Sequence, residues 1–272
     1  MNDSVKNEMT FLEHLEELRW HLIRALLAVM LFGILAFLFK YFVFDVIVLG
    51  PSKSDFFTNR WMCFISQNYL SSNKLCINSD PIKLQNIQMA GQFMAHIKIS
   101  LITGIVVAFP YIFYEFWLFI RPALYSKEQK MARGAVLAIS FLFFIGVMFG
   151  YFIICPLSIN FLINYQVSDL AINNIKLMSY VSLVASICLA SGVLFELPVV
   201  VFFFSKIGLI TPEFLKKYRR HSLVVILVLA AIITPPDIFS QILVALPMLL
   251  LYEISIVISR RIVNKEKEEL QG

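Results

Sequence analysis

The chain of 272 residues is 59% hydrophobic and only 15% charged, and its mean hydropathy is +0.79. Soluble domains are about 45–50% apolar and about 25% charged, so this composition excludes an ordinary soluble protein. The net charge of +5 does not indicate a nucleic-acid-binding protein, because the basic residues lie in short runs between apolar segments, a pattern typical of membrane proteins.

Six apolar segments predict transmembrane helices, since a helix needs about 20 apolar residues to cross the hydrocarbon core. The predicted spans are about 22–44, 93–120, 132–155, 179–205, 222–234 and 239–258. The fifth is short, because its helix would measure about 20 Å against a core of about 30 Å. We therefore expect the bilayer to be thinner there, or the helix to lie among its neighbours.

The segments between the spans predict the orientation in the membrane. Residues 1–19 are acidic, unlike the basic start of a signal peptide, so the first span is interpreted as a retained anchor. Lysine and arginine collect on the side that holds both ends of the chain, and the positive-inside rule places that side in the cytoplasm. We expect one membrane domain over 1–272, with an outer loop at 45–92 that has no clear domain of its own and a mobile tail at 260–272.

Cysteines and glycines give packing and redox signals. Cys63 and Cys76 share the outer loop, where they predict either a disulfide in an oxidising compartment or two free thiols. The other two cysteines fall in spans and are expected to pack as small apolar side chains. Gly146 and Gly150 have the GxxxG spacing, which favours close packing between helices.

Catalytic and metal-binding motifs are absent from the sequence. It contains no GxxxxGK[ST], no HExxH and no GxSxG, and its 4 histidines do not form a ligand cluster. We therefore expect no enzymatic activity, no metal and no cofactor. Any work that the protein does must draw on ion gradients or on partners.

Glu196 is an isolated carboxylate in the apolar segment 177–205, two positions before Pro198. An ionised carboxylate near the middle of a bilayer costs at least ~2.5 kcal/mol, so the side chain should face the protein interior, a wet cavity or a partner. Two interpretations stay open. One is a protonated glutamic acid that hydrogen-bonds a neighbouring helix, and the other is the polar lining of a concave cavity that draws water into the membrane.

An acidic amphipathic stretch, FLEHLEELRWHLIRALL at 11–27, leads into the first span. Its apolar residues recur at helical spacing, so we expect it to lie at the cytoplasmic surface. Glu13 and Glu17 are four residues apart and share a face, and the loop at 115–130 adds Glu128 on the same side of the membrane. An acidic surface on an otherwise basic side predicts a site for a cationic ligand, with a merely solvated face as the alternative.

Five motifs in chain order carry a resemblance to a known family. They are HLEELR at 14–19, FPYIFYEFWLFIRPALYSKE at 109–128, FELPVV at 195–200, TPPDIFSQ at 234–241 and LYEISI at 251–256. Together they resemble TatC, the multispanning core subunit of the twin-arginine protein translocase, over nearly the whole chain. Any one motif is modest, whereas all five in order on six spans are specific.

The resemblance implies an all-α integral membrane protein, a concave (cupped) bundle of six transmembrane helices with short fifth and sixth helices and cytoplasmic termini. It implies a receptor for twin-arginine signal peptides and the core of a Sec-independent translocase that exports folded proteins, driven by the proton-motive force. The implied partners are those signal peptides, single-spanning subunits of the TatA and TatB type, further copies of the chain and membrane lipid. The implied location is the bacterial inner membrane, with an organellar inner membrane as the alternative.

The resemblance also carries signal-peptide-binding roles onto Glu17, Arg19, Phe119 and Glu128. The two carboxylates would pair with the arginines of the signal, because guanidinium groups bind carboxylates in a bidentate manner. Glu115 departs from the family pattern, since it adds a carboxylate where a neutral polar residue is usual, and its role is therefore open.

The TPPDIFSQ motif predicts a docking site for a single-spanning partner. Thr234, Asp237 and Gln241 offer polar groups where the short fifth helix leaves the membrane, and a polar residue on the partner's helix would need such a mate. The competing hypothesis is a proton-coupled small-solute secondary transporter that uses Glu196 and Asp237 as proton carriers. Inverted repeats would favour such a transporter, and the sequence shows none.

Overall fold

The computed structural model describes residues 11–69, 84–120, 132–166, 168, 174–206, 208–233 and 238–271. Within these ranges the chain is largely helical, and its one β-type pairing is an isolated bridge between Gln85 and Lys176. Four residues that the sequence singles out lie outside the described residues: Cys76, Glu128, Thr234 and Asp237.

The structure describes ten α-helices within these residues. They are α1 (Phe11–Leu38), α2 (Phe57–Tyr69), α3 (Gly91–Ile120), α4 (Ala132–Phe149), α5 (Cys155–Asn164), α6 (Leu177–Phe195), α7 (Leu197–Lys206), α8 (Pro212–Lys217), α9 (Arg219–Ile233) and α10 (Ile238–Gln271). Two π-helical segments, Tyr41–Val48 and Gly150–Ile154, follow α1 and α4.

The long helices confirm the membrane-spanning character of the chain. Four segments are long and apolar enough to cross a bilayer, and they correspond to the first four predicted spans: His14–Leu38, Gly91–Ile120, Val136–Asn164 and Leu177–Lys206. Helix α9 has 15 residues, so the fifth helix is short, as predicted. Helix α10 contains the predicted sixth span and continues to Gln271, 34 residues in all. The backbone of the predicted tail is therefore helical to Gln271, while its mobility stays a prediction.

The fourth predicted span is interrupted at Glu196, where α6 ends and α7 begins. Pro198 lies just inside α7 and has no backbone N–H, so the regular ladder of helix hydrogen bonds cannot continue through this point. The Glu196 amide instead donates to the Val193 carbonyl oxygen at 3.1 Å, a tighter turn. The interruption follows from the proline in the sequence.

The outer loop contains a helix that the sequence did not predict. Helix α2 has 13 residues, many of them polar, so the segment does not stand out in the sequence as an apolar span. Its position is fixed by side-chain hydrogen bonds, because Thr58 Oγ1 donates to the Phe152 carbonyl oxygen and Asn59 Nδ2 donates to the Lys53 carbonyl oxygen at 2.8 Å. Tertiary contacts therefore decide the structure of this segment.

The described chain divides into two compact units, and the single membrane domain over 1–272 stays a prediction. Unit 1 consists of Met1–Phe39 and Ser100–Ser140, and unit 2 consists of Lys40–Ile99 and Phe141–Gly272. In unit 1, α1 and α3 approach each other closely at two glycines. A Cβ atom at Gly104 would lie 2.7 Å from the backbone nitrogen of Gly33, so only hydrogen fits at this crossing.

In unit 2, α4 and α6 pack together at the predicted GxxxG motif. A Cβ atom at Gly146 would lie 2.5 Å from the Ser191 carbonyl oxygen, and one at Gly150 would lie 2.8 Å from the Ser191 hydroxyl oxygen. The predicted packing role of the two glycines is therefore confirmed. Close backbone approach of this kind is a main source of helix association in lipid, where no hydrophobic effect drives it.

Tyrosine hydroxyl groups hold the first π-helical segment in unit 2. Tyr151 donates to the Ile47 carbonyl oxygen at 2.6 Å, and Tyr180 donates to the Val48 carbonyl oxygen at 2.9 Å. A π-helix leaves carbonyl groups at its end without partners in the helix, and these two bonds satisfy them. The segment is thus fixed by residues of the third and fourth spans.

We expect Gly146→Ala to lower the free energy of unfolding by about 1–3 kcal/mol, because the added methyl group would push the α6 backbone away. Gly134→Ala in the same helix is the matched control, since a Cβ there meets no atom within 4 Å. That change should be neutral or stabilising by up to about 1 kcal/mol, because alanine favours helix. Unfolding of both variants in detergent measures the difference, and equal effects would contradict the packing role.

Candidate functional site

The start of α1 and the end of α3 make an aromatic contact in unit 1. The ring of His14 stacks on Phe119 with the centroids 4.4 Å apart, and His21 meets the same ring edge-on at 6.2 Å. The two histidines are seven residues apart on α1, which is two helical turns. Both histidines of α1 therefore contact the Phe119 ring of α3.

One turn earlier on α3, a buried carboxylate is paired. Glu115 is only 3% exposed, and its Oε2 lies 2.6 Å from His21 Nδ1. The Nη1 atom of Arg24 is 3.9 Å from the same oxygen, and the Tyr111 hydroxyl group faces the carboxylate as well. A buried carboxylate needs such partners, because burial without them is costly.

His14, Glu17, His21 and Arg24 lie on one face of α1, since their spacings of three and four residues follow the helical repeat. Three of the four contact Phe119 or Glu115. Glu17 lies half-buried between His14 and His21 along this face, and it makes no ion pair with a residue that the structure describes. The structure therefore places the Glu17 carboxylate beside the aromatic contact.

Arg19 is not brought into this group. It is exposed, and at 100° per residue it lies on the face of α1 opposite to Glu17. Glu128 lies outside the described residues. Of the four residues predicted to bind a signal peptide, Phe119 contacts His14, and Glu17 lies one helical turn from His14 on the same face of α1.

We call the group of His14, Glu17 and Phe119 the Glu17 surface. It combines a carboxylate without a described ion-pair partner, a half-exposed aromatic ring and an imidazole. A carboxylate beside an aromatic ring suits a guanidinium group, which pairs with the first and stacks on the second. The neighbouring Glu115 carboxylate already pairs with His21, so it is not free to bind a guanidinium group of a ligand.

In unit 2, Glu196 lies within the segment Leu177–Lys206, as the sequence predicts for an intramembrane polar residue. Both of its carboxylate oxygens are enclosed by protein and accept no hydrogen bond of ordinary geometry from a described residue. The nearest polar group is the backbone of Phe143 on α4. This placement excludes a lipid-facing carboxylate, and it differs from the wet cavity that we expected, because the oxygens have no exposed surface.

At the other predicted site, Gln241 is the one residue that the structure describes. Its Nε2 atom donates to the Leu227 carbonyl oxygen of α9 at 3.0 Å, so the side chain joins α10 to α9 inside unit 2. Thr234 and Asp237 lie outside the described residues. In the outer loop, Cys63 is disulfide-bonded, which confirms the disulfide alternative for this residue.

Comparison with known proteins identifies the family. Residues 13–247 match the family described as Sec-independent protein translocase protein (TatC). The chain belongs to the TatC family. It is 42% identical over 262 residues to a TatC protein of Blattabacterium, covering 96% of this chain and 98% of that one. It is 35% identical over 261 residues to the TatC protein of Aquifex aeolicus, covering 96% of this chain and 98% of that one.

Solved structures agree with this assignment. A crystal structure of the twin-arginine translocase receptor TatC has a TM-score of 0.69 and 35% identity, and the match covers 92% of this chain and 100% of that one. A second crystal structure of the same receptor, in the detergent DDM, has a TM-score of 0.70 and 36% identity over 91% of this chain. The predicted all-α membrane bundle of six helices is therefore confirmed.

Membership of the TatC family decides between the functional hypotheses. The chain is a membrane component of a Sec-independent protein translocase, which is not an enzyme, and the family name implies a complex with further subunits. A small-solute transporter receives no support from any of these comparisons. The prediction from the motifs is thereby confirmed at the level of the family.

The pair of His21 and Glu115 is the feature that sequence reasoning missed. The family pattern leaves the role of Glu115 open, and no motif in the sequence indicates His21 as its partner. The spacing of His14, His21 and Arg24 along α1 could have indicated one polar face. No pattern in the sequence, however, aligns that face with Glu115, because the two residues are 94 positions apart.

We expect the pair of His21 and Glu115 to be strongly coupled. Changing either residue to leucine should lower the free energy of unfolding by about 3–5 kcal/mol, because it leaves the other polar group buried without its partner. The double variant should lower it by less than the sum of the two single changes. The exposed pair of Arg219 and Glu253, also 2.6 Å apart, is the matched control. Its coupling should be at most about 1 kcal/mol. Unfolding of the single and double variants gives both values, and equal couplings would contradict the prediction.

Proposed function

We propose that this chain is the receptor for twin-arginine signal peptides and the core of a translocase that exports folded proteins, driven by the proton-motive force. Two findings support the proposal. The chain belongs to the TatC family, and solved relatives at 35% and 36% identity are described as twin-arginine translocase receptors. The observation that carries it is the Glu17 surface, where the ring of His14 stacks on Phe119 and Glu17 lies one helical turn further along the same face of α1.

The chemistry of this surface matches an arginine side chain. A guanidinium group donates two parallel hydrogen bonds to a carboxylate, and its flat face stacks on an aromatic ring. Glu17 supplies the carboxylate and Phe119 the ring. We propose that Glu128 supplies the second carboxylate for the paired arginine, as the family resemblance implies. Arg19 lies on the opposite face of α1, so its proposed contact involves a different part of the signal peptide.

We propose that the chain works with single-spanning partners of the TatA and TatB type, and in several copies within a larger complex. The proposed docking residues are Thr234, Asp237 and Gln241. Gln241 supports this site, because its amide already bridges α10 to Leu227 in the middle of the short α9. An amide held at that point offers its carbonyl oxygen to a polar residue on a partner helix.

The proposed location is the bacterial inner membrane, with both termini in the cytoplasm. The named relatives with the highest coverage are bacterial, and the excess of lysine and arginine on the side that holds both termini supports this orientation. In this setting Glu196 would be a polar group inside the membrane that is kept away from lipid by α4. Its role is proposed to be polarity at that depth and not contact with the arginine pair.

Changing Glu17 to alanine tests the receptor proposal. We expect binding of a peptide with an Arg-Arg pair to weaken by about 10- to 100-fold, because hydrogen bonds to a charged group contribute about 1.5–3 kcal/mol. A peptide with Lys-Lys should bind the unchanged protein more weakly, because lysine cannot form the bidentate pair. Its affinity should also fall less when Glu17 is changed to alanine. Fluorescence titration of the protein in membranes with both peptides measures these affinities.

The matched control is Glu16→Ala, which removes an exposed carboxylate from the neighbouring position. It should leave the affinity for the Arg-Arg peptide nearly unchanged, because Glu16 points to another face of α1. If Glu16→Ala and Glu17→Ala weaken binding equally, the effect is one of overall charge, and the Glu17 surface is not the site.

Disulfide cross-linking tests the docking proposal. With cysteine in place of Gln241 and a cysteine scan along the partner's transmembrane helix, we expect cross-links at one helical register. Leu246→Cys is the control, because Leu246 is exposed and lies on a different face of α10 from Gln241. The native cysteines Cys155 and Cys188 are buried and should not react. Equal cross-linking at positions 241 and 246 would indicate that the partner uses another surface.

A further inference from the structure

Helix α2 carries an aromatic stripe made of Phe57, Trp61 and Phe64. The three side chains are spaced by four and three residues, so they share one face of the helix. They are 68%, 59% and 59% exposed in this order. Large apolar side chains gathered on one exposed face mark a surface that contacts something other than water.

The opposite face of α2 is fixed against unit 2, which determines where the aromatic stripe points. Thr58 and Asn59 are buried, and Thr58 donates to the Phe152 carbonyl oxygen of the third span. Phe56, just before the helix, stacks on the ring of Phe152 at 5.6 Å. The stripe therefore faces outward from unit 2.

The contact with Phe152 gives the height of α2 along the third span. That span begins at Val136, and Phe152 follows about 24 Å further along the helix axis at 1.5 Å per residue. The hydrocarbon core is about 30 Å thick, so α2 lies close to the level where hydrocarbon gives way to headgroups. Any tilt of the span would place α2 deeper.

The surroundings of the stripe are those of a lipid-facing surface. The ring of Phe57 meets the ring of Phe152 edge-on at 6.4 Å, and Met148, one turn before Phe152 on the same span, is an exposed apolar residue. The stripe therefore adjoins the apolar surface of the span. Arg60 is exposed and lies beside the stripe on α2. Tryptophan at the membrane interface and a basic residue near the phosphates are the usual features of helices that lie on a bilayer.

We propose that α2 is an interfacial helix, with Phe57, Trp61 and Phe64 inserted among lipid acyl chains and Arg60 at the level of the phosphate groups. The stripe is amphipathic in the manner of membrane-surface helices, while α2 is far too short to cross the bilayer. It anchors the outer loop to the membrane beside the third span. A second copy of the chain or a partner protein is the rival occupant of the same face.

Fluorescence of Trp61 tests the proposal in the full-length protein. The chain contains 3 tryptophans, so the spectrum of Trp61→Phe is subtracted from that of the unchanged protein to isolate Trp61. The protein is reconstituted into vesicles of phosphatidylethanolamine and phosphatidylglycerol, with or without lipids brominated near the carbonyl end of the acyl chain. We expect a blue-shifted Trp61 emission and loss of most of it with the brominated lipid.

A companion variant with Phe57→Ser and Phe64→Ser weakens the insertion of the stripe without removing the probe. Its Trp61 emission should shift to the red and be quenched less, whereas Arg60→Lys, which keeps the positive charge, should leave both values unchanged. A red-shifted emission that bromine does not quench in the unchanged protein would overturn the proposal. A blue-shifted emission that bromine does not quench, and that depends on protein density in the vesicles, would overturn it in favour of a protein partner.

Discussion

Polar groups at membrane depth must find partners inside the protein, because the hydrocarbon core offers no water to replace a missing hydrogen bond. Much of the structure can be understood from this constraint. Ser205 and Ser259 share a hydroxyl hydrogen bond at 2.8 Å that joins α7 to α10, and two tyrosines close the end of a π-helical segment. Glu115 is paired with His21. Each of these polar contacts therefore also determines which helices lie together.

Two carboxylates of the chain show how environment separates their roles. Glu115 is buried and has an imidazole and a guanidinium group beside it, so its charge serves to hold α1 and α3 in register. Glu17 lies on the same face of α1 but has no such partner among the described residues, and its charge remains for a ligand. His14 and His21 position Phe119 beside it. The same face of one helix thus holds unit 1 together and presents the proposed binding surface.

The sequence predicted the elements that depend on local pattern. Long apolar runs predicted the spans, Pro198 lies where the fourth span is interrupted, and the GxxxG spacing identified a helix contact. It did not predict α2, whose polar residues acquire their partners only in the folded chain. For the candidate site, Glu17 and Phe119 came from family motifs, whereas the partner of Glu115 depends on how α1 and α3 are aligned. That alignment is set by contacts between residues far apart in the chain, which no local pattern contains.

The division into two units has a consequence for the order in which the protein is made. Unit 1 needs no residue beyond Ser140, so the pairing of His21 with Glu115 can form while half of the chain is still to be synthesised. Unit 2 must wait, because the carbonyl groups of Ile47 and Val48 receive their donors from Tyr151 and Tyr180, 104 and 132 residues later. A ribosome delivers the chain from its N-terminus, so the segment after α1 spends the longest time in the membrane before its own hydrogen bonds are complete.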